Sequence, residues 1–490
     1  MAWRILCGLW LGMAGATSVA AARADKPNLV FILSDNQGAW TLGCYGNPDI
    51  RTPNIDRLAS EGMLFTRAFA SNAVCSPTRA TFLSGLIPSQ HGVHCFLDPK
   101  YMMGPAAYNT LAEFRTLPKI LAENGYVCGL TGKWHLGANL TPQESFQYWI
   151  TMVHGSTTEF YDMPIIENGA VRNEPQYATD LWTEHAVKFI RQNKDRPFFL
   201  FLPYNGPYGL GRLLLNPARN RHREYYEDKE LLSFHRDAMH PWLHNNKEFL
   251  NNMVSIRRVA AEISGVDDGV GEVLAALKEL GIEGNTLVVY AADQGWMGGM
   301  NGIWGMGDHT RPMGAFDGMM QIPLIFRHPG QIPAGSQAKI MVSNYDFLPT
   351  VLSYLGLGDE LRETKPVFPG RDFSSVLRGR EMAWDNAVYY EMEYVRAIRT
   401  ERYKYVHRPD GPFELYNLAS DPYEKFNLYG QPGMQSVSDQ LRMRLEGFFE
   451  QYAEAKYDLY RGGGSKSSLL SHKGPRPVTN SGRRPGPAPD

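Results

Sequence analysis

"KPNLVFILSDNQG", residues 26–38, opens on an unbroken apolar run and closes on Asp35-Asn36. A continuous run of Leu, Val, Phe and Ile predicts a strand buried on both faces, as in a parallel sheet covered by helices. The same form recurs far downstream in "GNTLVVYAADQGW" (284–296), where a buried strand over 286–291 leads to Asp293-Gln294. "RPFFLFLPYNGPYG" (196–209) and "YVCGLTGKWHLG" (126–137) supply two more such strands. Between them, capping residues and helical spacing predict helices over 116–124, 182–190 and 266–280. Strands alternating with helices predict an α/β fold with a large, mostly parallel central sheet flanked by helices. Ligands of such sheets sit beyond the carboxyl ends of the strands, where Asp35, Asn36, Asp293 and Gln294 fall.

A second unit follows. Residues 344–355 read as a closing helix, 395–428 as antiparallel strands with turns at Pro409-Asp410-Gly411 and Asp421-Pro422, and 436–454 as a last helix. The organisation expected is a signal peptide over 1–24, an α/β catalytic domain over 25–356, a smaller C-terminal antiparallel-sheet subdomain over 357–457, and a disordered basic tail over 458–490. The signal reading rests on Arg4, the apolar run that follows it and the small-residue end Ala22-Arg23-Ala24. It predicts export, to a periplasm or the extracellular space. From Arg461 on, the chain is mostly Gly, Ser, Pro and basic residues, which suits either a solvated end or a weak contact with a polyanion.

Composition narrows the function classes. The 490 residues are 43% hydrophobic and 20% charged, with a formal net charge of −2, so no nucleic-acid footprint is visible. No other apolar stretch is long enough to span a bilayer. Beyond Cys7 in the signal segment, Cys44, Cys75, Cys95 and Cys128 remain, too few for a disulfide scaffold.

One of these cysteines stands out. In "NAVCSPTRATFLSG" (72–85), Ser76 reads as an N-cap and Pro77 as the first helical residue. Cys75 then sits at a helix start, where a thiolate or an anionic substrate beside it would be stabilised. Arg79, one turn on, faces the same place. The plainer reading is a buried cysteine serving as a small hydrophobe. Two strand ends carrying Asp35-Asn36 and Asp293-Gln294 add oxygen donors suited to Ca²⁺ or Mg²⁺.

With these flanks the sequence resembles the type I, formylglycine-dependent sulfatases of the alkaline phosphatase superfamily. "CSPTRATFLSG" is similar to that family's Cys-x-Pro-x-Arg signature and "TGKWHLG" (131–137) to its second signature. "VSNYDFLPTVL" (342–352) and "RAIRTERYKY…ELYNLASDP" (396–422) resemble later landmarks. The resemblance implies that Cys75 is oxidised by a formylglycine-generating enzyme to an aldehyde whose hydrate attacks a sulfate ester, in a sulfated carbohydrate rather than a small aryl sulfate. It implies Ca²⁺, with Mg²⁺ as the alternative, on Asp35, Asn36, Asp293 and Gln294. It further implies Arg79 and Lys133 as cationic partners of the diol and sulfate, and His135 as the group that deprotonates the diol.

The pattern is broken at two places. Tyr208, in "NGPYG", stands where the family usually has a histidine that protonates the leaving oxygen. Met306, in "GIWGMGDHT", stands where many members have a lysine on the sulfate. Tyr208 and the nearby His309 are therefore the candidate substrate contacts, His309 having an ordinary loop role as its alternative. His91 and His94 read as pocket-lining or structural, Trp40, Trp296 and Trp304 as sugar-stacking or packing. His235, His240 and His244 form a His-rich insertion without secure metal spacing. Two other functions fit the same residues: hydrolysis of phosphodiesters or phosphonates, and sulfated-glycan binding without turnover.

Overall fold

The computed structural model describes residues 26–362 and 364–471. The signal-peptide reading over 1–24 lies outside the described residues, as does the tail beyond Ser471. Strands are numbered along the chain: β1 Asn28–Asp35, β2 Met63–Phe65, β3 Ala68–Phe69, β4 Val127–Gly132, β5 Tyr148–Met152, β6 Met163–Glu167, β7 Ala170–Glu174, β8 Phe198–Pro207 and β9 Thr286–Ala292. They continue with β10 Gln321–Ile322, β11 Leu324–Arg327, β12 Ser336–Ala338, β13 Val342–Ser343, β14 Ala387–Met392, β15 Val395–Thr400, β16 Tyr403–His407 and β17 Glu414–Asn417.

The main sheet has ten strands in the order β12-β2-β11-β9-β1-β8-β4-β5-β6-β7. Its centre, β9-β1-β8-β4-β5, is parallel throughout, and antiparallel pairings appear toward both margins. β1 alternates between two cores. Leu29, Phe31 and Leu33 pack with the helices Cys75–Ser84 and Phe347–Tyr354, while Val30 and Ile32 pack with Ala178–Asn193 and Met253–Glu279. All five of these β1 side chains are fully buried, which stabilises the fold by about 1.5–3 kcal/mol each. The Met253–Glu279 helix starts thirteen residues before the expected one, at Asn252, whose side chain accepts from the Val254 and Ser255 N–H groups. Its first half carries buried Arg258 and Glu262, which hide the apolar face from a reading by pattern.

A separate antiparallel sheet, β14-β15-β16-β17, packs against the Gln435–Tyr452 helix. It is tied to the main body by a buried ion cluster in which Asp317 pairs with Arg399 at 3.1 Å and Lys404 at 3.0 Å. It also holds the approach to the Cys75 helix. Asn72 Nδ2 donates to the Glu391 carbonyl at 2.7 Å, and the Glu391 N–H donates to the Ser71 carbonyl at 2.8 Å.

Residues 458–471 correct the expectation of disorder. Leu459–Arg461 forms a short 3-10 helix, and Ser465, Lys466 and Ser467 are buried against the main domain. Little in this stretch is apolar, so composition does not announce the packing. What holds it is hydrogen bonding, with the Lys466 ammonium set over the Phe114 and Tyr457 rings. The four cysteines of the described residues are all free thiols.

Candidate active site

β1 and β9 run side by side, with Ser34 opposite Ala292, so Asp35-Asn36 and Asp293-Gln294 leave the sheet together. Asn36 adopts a left-handed backbone (φ 58°), which asparagine tolerates better than most residues. This turn lets the Asn36 N–H reach Asp293 Oδ1 at 3.0 Å, where the Gln294 N–H also donates at 2.9 Å. β4 ends at Gly132 (φ 131°), where a Cβ would lie 2.0 Å from the Pro203 carbonyl oxygen. Only glycine fits there, and the chain then turns so that Lys133 enters the same space.

The Cys75–Ser84 helix supplies the thiol and a guanidinium. Its first residue is Cys75, with extended Val74 as N-cap. This moves the expected start: Ser76 does not cap, because its Oγ accepts the Leu97 N–H at 3.1 Å. Arg79, fully buried, donates to Asp293 Oδ2 from Nε at 3.0 Å and Nη2 at 2.9 Å, and lies 3.4 Å from Asp35. Lys133 Nζ donates to Asp35 Oδ2. Two carboxylates thus face two cations, all four side chains fully buried, an arrangement that offsets the large cost of burying each charge.

Cys75 Sγ sits 3.4 Å from Asp35 Oδ1 and 3.2 Å from Gln294 Nε2. Burial, then Asp35, push its pKa well above the usual thiol value, against the pull of Lys133 and Arg79. Burial beside a carboxylate thus works against the thiolate that the helix start favours. A neutral thiol is a poor nucleophile.

His135, also left-handed (φ 58°), is buried, and its Nδ1 has no hydrogen-bond partner. Burial, then Lys133 and Arg79, hold its pKa well below the usual histidine value, which favours the neutral ring. Tyr208 (φ 45°) stands half-buried beside the cluster, with Lys133 Nζ 5.1 Å from its ring centre. Burial, then Cys75 and Asp35, push its phenol far up, which makes it a poorer acid than a free tyrosine. Met306 Sδ lies 3.2 Å from Gln294 Nε2, and His309 turns its Nδ1 to Asp308 at 2.9 Å rather than to the charged cluster.

The donor set fits a hard divalent cation. Asp35, Cys75 and Asp293 place ligand atoms within 4.8 Å of one another, the only such group among the described residues. Buried Gln294 Oε1 has no partner, and the remaining donors are carboxylate or amide oxygens.

A family model described as Sulfatase matches residues 27–357. The chain belongs to the sulfatase family. It is a sulfuric ester hydrolase of the type I sulfatases, a family within the alkaline phosphatase superfamily; sulfatases generally use a formylglycine and a divalent metal. A second model, N-sulphoglucosamine sulphohydrolase C-terminal, matches residues 305–451. The chain is 26% identical to the N-acetylglucosamine-6-O-sulfatase of Bacteroides thetaiotaomicron, over 91% of this chain and 90% of the relative. It is 30% identical to the N-acetylgalactosamine-6-sulfatase of Rattus norvegicus, over 79% and 72%. A solved Bacteroides thetaiotaomicron structure from work on glycosaminoglycan metabolism shares the fold with a TM-score of 0.73 at 22% identity, covering 88% of this chain and 98% of that one.

Several sulfatase residues left open by sequence now have defined surroundings. His91 bonds Thr81 and the Val93 N–H, and His94 bonds Gly92 and Ser465, both as buried structural groups. Trp40 stacks on Trp296, which meets Trp304 edge-on at 4.9 Å, so these rings pack on one another. His240 is wedged against Trp242 and Phe316. No helix among the described residues is long and apolar enough to cross a membrane.

One residue of the site had no signal in the sequence. A Cβ on Gly155 would fall 2.0 Å from His135 Cδ2 and Nε2, so this glycine leaves room for the ring. We expect Gly155→Ala to displace the imidazole, to lower kcat about 100-fold with KM little changed, and to cost about 1–3 kcal/mol of stability. Steady-state kinetics beside a thermal melt would show this; an unaltered kcat would mean the ring position is irrelevant to turnover.

Proposed function

We propose that this sulfatase is an exported enzyme that hydrolyses sulfate esters of a carbohydrate, through a formylglycine made from Cys75. The observation that carries this reading is the position of Cys75 Sγ, between Asp35 and Gln294 at the head of the Arg79 helix. The names of the amino-sugar sulfatases among the relatives support a sulfated carbohydrate as substrate. The export reading rests on residues 1–24.

In the matured protein a hydrated aldehyde would replace the thiol. One hydroxyl forms a bond to sulfur while the sulfur–oxygen bond to the sugar breaks, and the proton of that hydroxyl passes to the leaving oxygen, so that the sugar departs as an alcohol. The second hydroxyl gives its proton to neutral His135, the carbon–oxygen bond to sulfate breaks, and the aldehyde returns for rehydration. Lys133 and Arg79 hold the anionic oxygens, in a buried site where fixed cations stabilise charge that develops in the transition state. Asp35, Asn36, Asp293 and Gln294 would hold Ca²⁺, or Mg²⁺ in its place, which supplies further neutralisation of the sulfate oxygens. Tyr208 and His309 line the substrate side. Tyr208 keeps its proton and serves as a hydrogen-bond donor rather than as a strong acid.

The metal assignment predicts linkage. A ligand bound only to the folded state adds about 2.7 kcal/mol at 100 times its Kd. Calcium added after chelation should raise the melting temperature of the wild type and leave Asp293→Asn unmoved. Equal responses of the two proteins would exclude these ligands. The substrate assignment is tested with matured protein on a panel of sulfated sugars, phosphodiesters and phosphonates. Sulfate release is expected; faster phosphoester or phosphonate cleavage, or tight sugar binding without turnover, would replace the proposed function.

A further inference from the structure

We infer that the C-terminal strap, residues 462–471, is a positioning element of the active site, acting through the 92–98 loop and the 108–110 segment on His135 and the head of the Cys75 helix. The inference rests on the reading of His135 and residue 75 given under Proposed function. The strap lies beyond both stretches matched by the family models, 27–357 and 305–451.

Its contacts converge. Ser467 Oγ accepts the N–H groups of His94 at 3.2 Å and Cys95 at 2.9 Å, and the Lys466 N–H donates to the Gly92 carbonyl at 2.7 Å. Ser468 Oγ donates to Asp98. The loop so pinned carries Leu97, whose N–H bonds Ser76 Oγ next to Cys75.

A second path starts from the Lys466 side chain. Its ammonium, buried under the Phe114 and Tyr457 rings, donates to the Thr110 carbonyl at 2.7 Å and to Glu113 at 2.5 Å. Thr110 in turn donates from its N–H at 3.1 Å and its Oγ1 at 2.8 Å to the carbonyl of Leu136, the neighbour of His135. The strap ends where the Leu470 and Ser471 N–H groups meet the two oxygens of Glu393. His135 holds a left-handed backbone that costs a non-glycine residue energy, so it persists only where its surroundings enforce it. The strap fastens Thr110, which holds the residue that follows His135.

The test compares Ser467→Ala, Lys466→Met and a chain ending at Ser471 with the full chain. Hydrogen exchange of the backbone amides is read on unmatured protein, where no turnover is needed. Ser467→Ala should speed exchange at 94–97 and Lys466→Met at 110, with β14–β17 unchanged. On matured enzyme each substitution should lower kcat roughly tenfold or more with KM little altered. The chain ending at Ser471 should match the full chain in both readouts. Unchanged exchange at those amides, or activity lost only in step with the globally unfolded fraction, would overturn the inference. If the full chain releases no sulfate from any ester, the functional reading fails, and the exchange data alone decide whether the strap holds the loop.

Discussion

Replacing Cys75 by alanine is expected to abolish sulfate release, by about 10⁴-fold or more, while the protein stays folded. The asymmetry follows from the contacts. Sγ bonds only Asp35 Oδ1 and Gln294 Nε2, whereas the charged frame around it is closed by Arg79, Lys133, Asp35 and Asp293 without the sulfur. Loss of one sulfur atom should therefore change stability by about 1 kcal/mol. All the covalent chemistry of the proposed reaction, by contrast, passes through this residue. Kinetics of matured protein beside a denaturant melt separates the two effects. Residual turnover near the wild-type rate would mean that some other group performs the attack.

The second large effect belongs to Arg79. Arg79→Ala, measured in chelator, removes the two-pronged contact to Asp293 and the 3.4 Å contact to Asp35, leaving Lys133 as the only cation of the buried cluster. Breaking a buried ion pair from one side costs about 3–5 kcal/mol because the remaining charge is uncompensated. We expect a loss of that order in denaturant unfolding together with loss of turnover. Arg79→Lys should recover part of the stability and little of the activity, since a single ammonium cannot make the planar double contact. A stable Arg79→Ala protein would show that the cluster carries less electrostatic strain than the geometry implies.

The parts of this molecule that were legible in its sequence are those whose residues carry their own signal. β1, β4, β8 and β9 read directly because strands buried on both faces are continuous apolar runs. Their ends, Asp35-Asn36 and Asp293-Gln294, followed from the rule that parallel sheets present function at the carboxyl edge. β6 and β7 stayed hidden, since β7, "AVRNE", is largely exposed and paired on one side only. At Cys75 a helix start is visible in sequence, whereas the burial and the approach of Asp35 that work against a thiolate are not. Gly155 and the strap stayed hidden for a related reason. Their roles are set by what they touch, a His135 ring and the 92–98 loop, and neither partner is near in sequence. Conversely, helical spacing put Arg79 beside Cys75, while the addition of Lys133 and His135 was expected only from resemblance, and the chain brings Cys75, Arg79 and Lys133 into one hydrogen-bonded cluster, with the His135 ring electrostatically linked to it.

The most direct test of the central claim is chemical. The protein should be produced with a formylglycine-generating enzyme, the peptide containing residue 75 weighed by mass spectrometry, and the aldehyde fraction counted with a carbonyl-reactive label alongside sulfate release. The account predicts an aldehyde at residue 75 and turnover that rises in proportion to its fraction. Efficient sulfate release from protein in which Cys75 remains a thiol would contradict it.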